Sequence, residues 1–107
     1  MKPLSDEQIH RVVGRGRALS DATRVRIIDR LAHAEWPVGR LAAALRSEPS
    51  TISKHLQVLF REGLVQRRRA APAVLYSLGD PGLLAWCRYL AAPHLSATAR
   101  RSRKPSA

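Results

Sequence analysis

Acidic side chains are scarce in this sequence. Asp and Glu number 8 against 19 Lys and Arg, which leaves a formal charge of +11 at pH 7. A chain so short of anions suits a polyanionic partner, either nucleic acid or an acidic membrane surface. Sixteen of the 19 cations are Arg, a ratio that a coding bias would also produce, so the sign of the charge carries the information. Cysteine is nearly absent: Cys87 stands alone, which excludes an internal disulfide and fits a reducing compartment. Long apolar runs are missing. None approaches the roughly 20 residues of a spanning helix, and the opening "MKPLSDEQIH" has no apolar core for an export signal. The expectation is a cytoplasmic protein with no membrane partner. No internal repeat is found. The 107 residues make room for one small domain, and a core of that size hides only about 60% of the unfolded chain's surface, which favours association.

What is present is helical periodicity, then a change of period. Ser5 is placed to cap a first helix, with Asp6 and Glu7 in its first turn and Ile9, Val12 and Val13 as its apolar stripe. Gly14 and Gly16 weaken that helix, so it should depend on packing. Asp21 should cap a second helix in "ATRVRIIDRLAHA", where Val25, Ile28, Leu31 and Ala32 share a face, Arg26 and Arg30 lie opposite, and Pro37 ends the element. "VGRLAAALR" makes a short third helix. A fourth is expected over residues 48–61, capped by Ser47, with Pro49 in its first turn, Ile52, Leu56 and Leu59 inside, and Gly63 as its stop. Beyond Gly63 the period becomes two. "LVQRRR" and "AVLYSL" read as the strands of a hairpin joined across "AAP", and after the turn "GDPG" a last helix carries Leu83, Trp86, Cys87 and Leu90 on one face. Residues 1–95 form the expected domain. Residues 96–107, "SATARRSRKPSA", offer nothing apolar to pack and are expected to be a disordered basic tail.

At 100° per residue, Ser50, Ser53, Lys54, Gln57 and Arg61 fall together on the side of the fourth helix turned from its stripe. Small hydroxyls let a helix approach closely and bond phosphates or base edges. Gln57 suits an adenine edge, and Lys54 a guanine or a phosphate. The first strand of the hairpin adds Arg67, Arg68 and Arg69. Two helices, a short helix, a sharp turn, a polar-faced helix, a basic hairpin and a closing helix describe a winged helix-turn-helix, mostly α with a small β hairpin.

The segments "ALSDATRVRII", "STISKHLQVL" and "REGLV", in that order and spacing, resemble the ArsR/SmtB family of bacterial transcriptional repressors over roughly residues 18–78. The resemblance implies a homodimer that packs its first and last helices across a twofold axis and presents two recognition helices to an inverted repeat of double-stranded DNA. Here Ile9, Val12, Val13, Leu83, Trp86, Cys87 and Leu90 would supply that dimer interface. It also implies repression of the protein's own or a neighbouring operon until a metal ion or another signal releases it. Ser50, Thr51, Ser53, Lys54 and His55 match the family's DNA-facing region, and residues 64–78 its wing. The sequence departs from the family at the metal sites. Many metal sensors carry two Cys where Pro37 and Gly39 stand here, and the other familiar site, on the last helix, keeps only Asp80 and His94 of its Asp and His ligands. Neither site is complete, so no metal and no cofactor is expected.

Plainer readings stand beside these. A polar helix face can be a solvated surface, and the three consecutive Arg can deter strand pairing at a sheet edge. His10, His33, His55 and His94 have no ligand spacing among them. Ser53 and His55 sit two apart on a helix and point in different directions, and no carboxylate pair or phosphate loop appears, so an enzyme is not expected. Cys87, inside an apolar stripe, reads as a packing residue; two such thiols meeting across a dimer axis would instead make a redox sensor. Two alternatives to a DNA-binding repressor remain: a small basic winged-helix adaptor for protein or RNA, and a metal sensor with an atypical site.

Overall fold

The computed structural model describes residues 1–93. The tail of residues 96–107, with Arg100, Arg101, Arg103 and Lys104, and the candidate ligand His94 lie outside the described residues. Within them the elements run α1 (Asp6–Ala18), α2 (Ala22–Leu31), β1 (Trp36–Pro37), α3 (Val38–Ala44), α4 (Pro49–Arg61), β2 (Val65–Ala70), β3 (Ala73–Leu78) and α5 (Leu83–Ala91). This is the winged helix-turn-helix order, with α3 and α4 as the helix-turn-helix and β2–β3 as the wing.

Helix starts follow the side chains that can satisfy the first free N–H groups. Ser5 accepts from Gln8 N–H while the Gln8 side chain returns to Ser5 N–H, a complete capping box. Asp21 accepts from Arg24 N–H in the same way for α2. The cap expected for α4 is not made by Ser47. Ser47 is held to the end of α3, its N–H donating to Ala42 O at 2.9 Å and its hydroxyl to Leu45 O at 3.2 Å. Glu48 takes the N-cap position without a side-chain bond, and Pro49 follows inside the first turn.

The two helices of the motif end alike. Leu64 N–H donates to Leu59 O and Gly63 N–H to Phe60 O, with Gly63 at φ 74°, which is a Schellman ending. At the close of α3 the same pair of bonds runs from Ser47 to Ala42 O and from Arg46 to Ala43 O, and here Arg46 adopts φ 52°. The left-handed position that a glycine usually fills is thus held by an arginine, and it makes the sharp turn between α3 and α4.

The hairpin expected from the sequence is part of a three-stranded sheet of order β1-β3-β2. Trp36 pairs with Tyr76 and Pro37 with Leu75 on one edge, while β2 pairs antiparallel with β3 from Val65↔Leu78 to Ala70↔Ala73. Pro37 therefore does not end α2, which stops at Leu31; it sits in an edge strand, where its missing N–H is harmless, and leads into α3. Ile27, Ile28, Leu41, Ile52, Leu56 and Leu59 are fully enclosed at the centre of the core. In α2 the buried stripe is Ile27, Ile28 and Leu31, and Val25 is exposed. Glycine has a packing reason at position 79. Gly79 N–H donates to Leu64 O at 2.9 Å, and a Cβ there would collide with the carbonyl oxygen of Gly63.

Candidate nucleic-acid interface

Helix α4 presents two unlike sides. Ile52, Leu56 and Leu59 are sealed into the core, whereas Ser50, Thr51, Lys54, Gln57 and Arg61 are exposed and Ser53 is half-buried. Among the described residues no side-chain hydrogen bond engages Ser50, Thr51, Ser53, Lys54 or Gln57 internally, so their polar groups are open to a partner. Arg61 bends back, its Nε donating to Gln57 O at 3.4 Å. Such a face offers hydroxyl, amide and ammonium groups at close approach, the chemistry that phosphates and base edges require.

His55 differs from its neighbours. It is half-buried, and its Nδ1 lies 3.1 Å from Arg24 Nη1. A guanidinium has no acceptor, so Nδ1 accepts and the ring proton sits on Nε2. The same guanidinium donates to Ala18 O at 2.6 Å and to Arg17 O at 3.3 Å, closing the end of α1. Arg24 thus ties α1, α2 and α4 together. Its own N–H, bonded to the Asp21 carboxylate, is the main cause holding Asp21 below its ordinary pKa, against the opposing effect of burial. Sequence reading missed Arg24, which the pattern assigns only to a helix start.

The three arginines of β2 have three different surroundings. The Arg67 guanidinium lies 4.2 Å from the centre of the Phe60 ring, a cation–π contact between wing and α4. Arg68 makes a two-pronged ion pair with Glu35, Nε and Nη2 donating to the two carboxylate oxygens at 2.9 and 2.8 Å. This bond, rather than position in the chain, holds the Glu35 carboxyl below its ordinary pKa. Arg69 has no ion pair, hydrogen bond or ring contact among the described residues. Next to Glu35, Trp36 Nε1 donates to Arg30 O at 3.3 Å and its ring faces the Arg40 guanidinium at 5.5 Å. Glu35 was legible only as one of 8 acids in a basic chain.

The apolar face expected on the last helix is divided. Leu83 is 9% exposed and Cys87 half-buried, both packed on the protomer's own core, while Trp86 is 46% and Leu90 53% exposed. Leu83 is therefore a core residue, in contrast to its expected place in an interface. Residues 83 and 87 lie about 40° apart around the helix and 86 and 90 on the flank beside them, so the core reaches only one edge of the stripe. On α1, Ile9, Val12 and Val13 are all exposed, and only Ala18 of that helix is buried. Val12 and Trp86 face a cleft of about 430 Å³ between α1 and α5. Burial pushes the Cys87 thiol above its ordinary pKa.

Pro37 and Gly39 bring no side-chain donor to the β1–α3 corner, and Asp80 is engaged with Gly82 N–H at 2.8 Å. Among the described residues no three His, Cys, Asp or Glu side chains gather as a metal ion requires, and no helix is long and apolar enough to cross a membrane.

Residues 19–68 match the model of a helix-turn-helix domain family. Over 76 residues the chain is 38% identical to the HTH-type transcriptional regulator KmtR of Mycobacterium tuberculosis, covering 71% of this chain and 58% of that protein. It is 41% identical over 63 residues to a transcriptional repressor SmtB homolog of Synechocystis, covering 59% of this chain and 48% of the relative. The chain thus spans about half to three fifths of the length of these relatives. Among solved structures, the homodimeric winged helix-turn-helix DNA-binding domain Mb0332 of Mycobacterium bovis, described as a possible ArsR-family transcriptional regulator, superposes with a TM-score of 0.77. It is 31% identical, and the match covers 91% of this chain and 95% of that one.

Proposed function

Since the chain belongs to the ArsR/SmtB family of winged helix-turn-helix transcriptional regulators, we propose that it is a cytoplasmic, homodimeric repressor that reads an inverted repeat through α4 and the wing. The observation that carries this reading is the open polar face of α4, Ser50 to Arg61, beside the arginine-bearing strand β2. Lys54 and Gln57 read base edges. Ser50, Thr51 and Ser53 bond phosphates or sugars, and Arg69 adds sequence-independent attraction. His55 supports the helix through Arg24 and contacts DNA only at its edge.

The dimer forms across α1 and α5, in the manner of the homodimeric Mb0332 domain. Ile9, Val12, Val13, Trp86 and Leu90 are too large and too exposed a cluster to stay wet on so small a domain. A twofold dimer places two copies of α4 on half-sites one helical turn, or a multiple, apart. Repression responds to a signal other than a metal ion at the two familiar sites, because Pro37 and Gly39 carry no ligand and Asp80 is engaged within its own turn.

The test is fluorescence anisotropy with the duplex upstream of the protein's own gene, a scrambled duplex and an RNA of matched length. Tight binding to the upstream duplex alone is expected. Equal or tighter binding to RNA would favour a winged-helix adaptor and refute the repressor. Titration of the apo protein with zinc or nickel by calorimetry should give no heat of site binding, and submicromolar binding coupled to a change in DNA affinity would overturn the metal-independent reading.

A further inference from the structure

Apolar packing holds α1 to its own protomer chiefly at the C-terminal end, where Ala18 is buried and Leu19 half-buried. Its hydrogen bonds to other helices come from two arginines. Arg15 Nε donates to Glu62 O at 3.3 Å, at the C-terminal end of α4. Beside it, Gly14 lies so close to the Glu62 carboxylate that a Cβ would collide with it. The second tie passes through the half-buried Arg24, whose guanidinium donates to the Ala18 and Arg17 carbonyls and to His55 Nδ1. His55 and Glu62 are seven residues apart, nearly two turns, so both ties fall on one side of α4, about 10.5 Å apart along its axis at 1.5 Å per residue. One tie fixes a distance between two helices. Two fix their angle as well.

We propose that Arg15, Arg24 and His55 are positioning residues that set the angle of the recognition helix against α1 and thereby the half-site spacing that the dimer accepts. The inference rests on the repressor reading given above, in which α1 lies at the twofold axis and α4 in the major groove. The core already fixes α4 within the protomer through Ile52, Leu56 and Leu59, and α5 reaches that core through Leu83 and Cys87. What the core leaves open is the rest of α1, which the two arginines close. A twofold axis repeats any shift of α4 against α1 in the partner, so looseness there becomes tolerance of half-site spacing. At His55 the needed group is an acceptor, because a guanidinium only donates. Asparagine offers one in Oδ1, the same number of bonds from Cα as Nδ1, with a helix propensity close to that of histidine.

The test maps the inverted repeat in the upstream duplex by footprinting. Anisotropy with the full chain then compares the native spacer with spacers one base pair longer and shorter, a rotation of about 34° between half-sites at 10.5 base pairs per turn. Wild type should bind each altered spacer about tenfold more weakly than the native one, the scale of a single mismatched base pair. In Arg15→Met with His55→Leu, which removes a donor and an acceptor but keeps apolar bulk, that difference should fall to about threefold or less. His55→Leu alone should lie between, and it carries the same test where the double variant does not fold. His55→Asn should keep the wild-type difference, and sedimentation should find every folded variant dimeric. Variants that lose affinity equally on all three spacers would overturn the proposal and leave the ties a purely structural role. So would a His55→Asn protein that behaves as His55→Leu does, a folded variant that sediments as a monomer, or a wild type indifferent to spacing. Wild-type protein that leaves no footprint on the upstream duplex would be a separate result, refuting the DNA-binding reading itself.

Discussion

Single residues decide how closely the turns of this protein can approach one another. Gly79 brings the turn before α5 against the turn after α4, with its N–H on Leu64 O and no room for a Cβ beside Gly63 O. Gly79→Ala forces two backbone segments apart, and the expected loss is about 1–3 kcal/mol of unfolding free energy, the range for inserting one methyl group into filled space. A urea titration would read this as a lower midpoint. At Cys87 the controlling quantity is thiolate population. Burial raises its pKa, and the thiolate is the reactive form. Alkylation by iodoacetamide at neutral pH should be several-fold slower in the native protein than in urea, and the affinity of Cys87→Ala for DNA should match wild type before and after peroxide. A peroxide response present in wild type and lost in Cys87→Ala would make the thiol a sensor.

At the scale of elements, both helices of the helix-turn-helix close with a Schellman ending, α4 through Gly63 before the wing and α3 through Arg46 at the turn between them. The second holds a side chain in the left-handed region, which costs about 1–2 kcal/mol relative to a right-handed residue. Arg46→Gly removes that strain but frees the unfolded chain, so a net gain of about 0.5–1 kcal/mol is expected, seen as a higher urea midpoint at unchanged slope. The recognition helix and the wing should differ in how their substitutions act on DNA. Lys54→Ala and Gln57→Ala should each lose about 1–3 kcal/mol of discrimination at one defined base pair. Arg69→Ala should weaken all duplexes alike and reduce the salt slope by about 0.9. If both sets weakened every duplex equally in a base-substitution panel, the assignment of α4 to the major groove would be refuted.

At the scale of the whole molecule, α1 and α5 carry large apolar side chains that the core does not cover. Ile9, Val12 and Val13 on α1 and Trp86 and Leu90 on α5 remain about half exposed in one protomer. Sedimentation should therefore find a dimer at micromolar concentration. Val13→Glu with Leu90→Glu, both outside the protomer core, should keep the helical circular dichroism signal and give a monomer. That monomer should bind the upstream duplex on the order of 100-fold more weakly, because the second half-site is no longer held at high effective concentration. A monomeric wild type would remove the reason for an inverted repeat.

Periodicity and caps are local, and what is local was legible in the sequence. Ser5, Asp21 and Gly63 mark their helix ends because each acts on backbone groups within a few residues, and Ile52, Leu56 and Leu59 declare a buried side through spacing alone. The exposed row of Ser50, Lys54, Gln57 and Arg61 follows from the same spacing. Tertiary structure decided what spacing cannot express. Leu83 and Trp86 share one stripe, yet which of them meets the core depends on where α5 lies against α1 and α2. Trp36 and Pro37 are two residues with no period of their own, and they became a strand only because Tyr76 and Leu75 were brought beside them. Arg67, Arg68 and Arg69 are identical in sequence and unlike in the fold, since one meets Phe60, one meets Glu35 and one meets neither. A charge's partner is a matter of position in space, and position in space is what the packed core supplies.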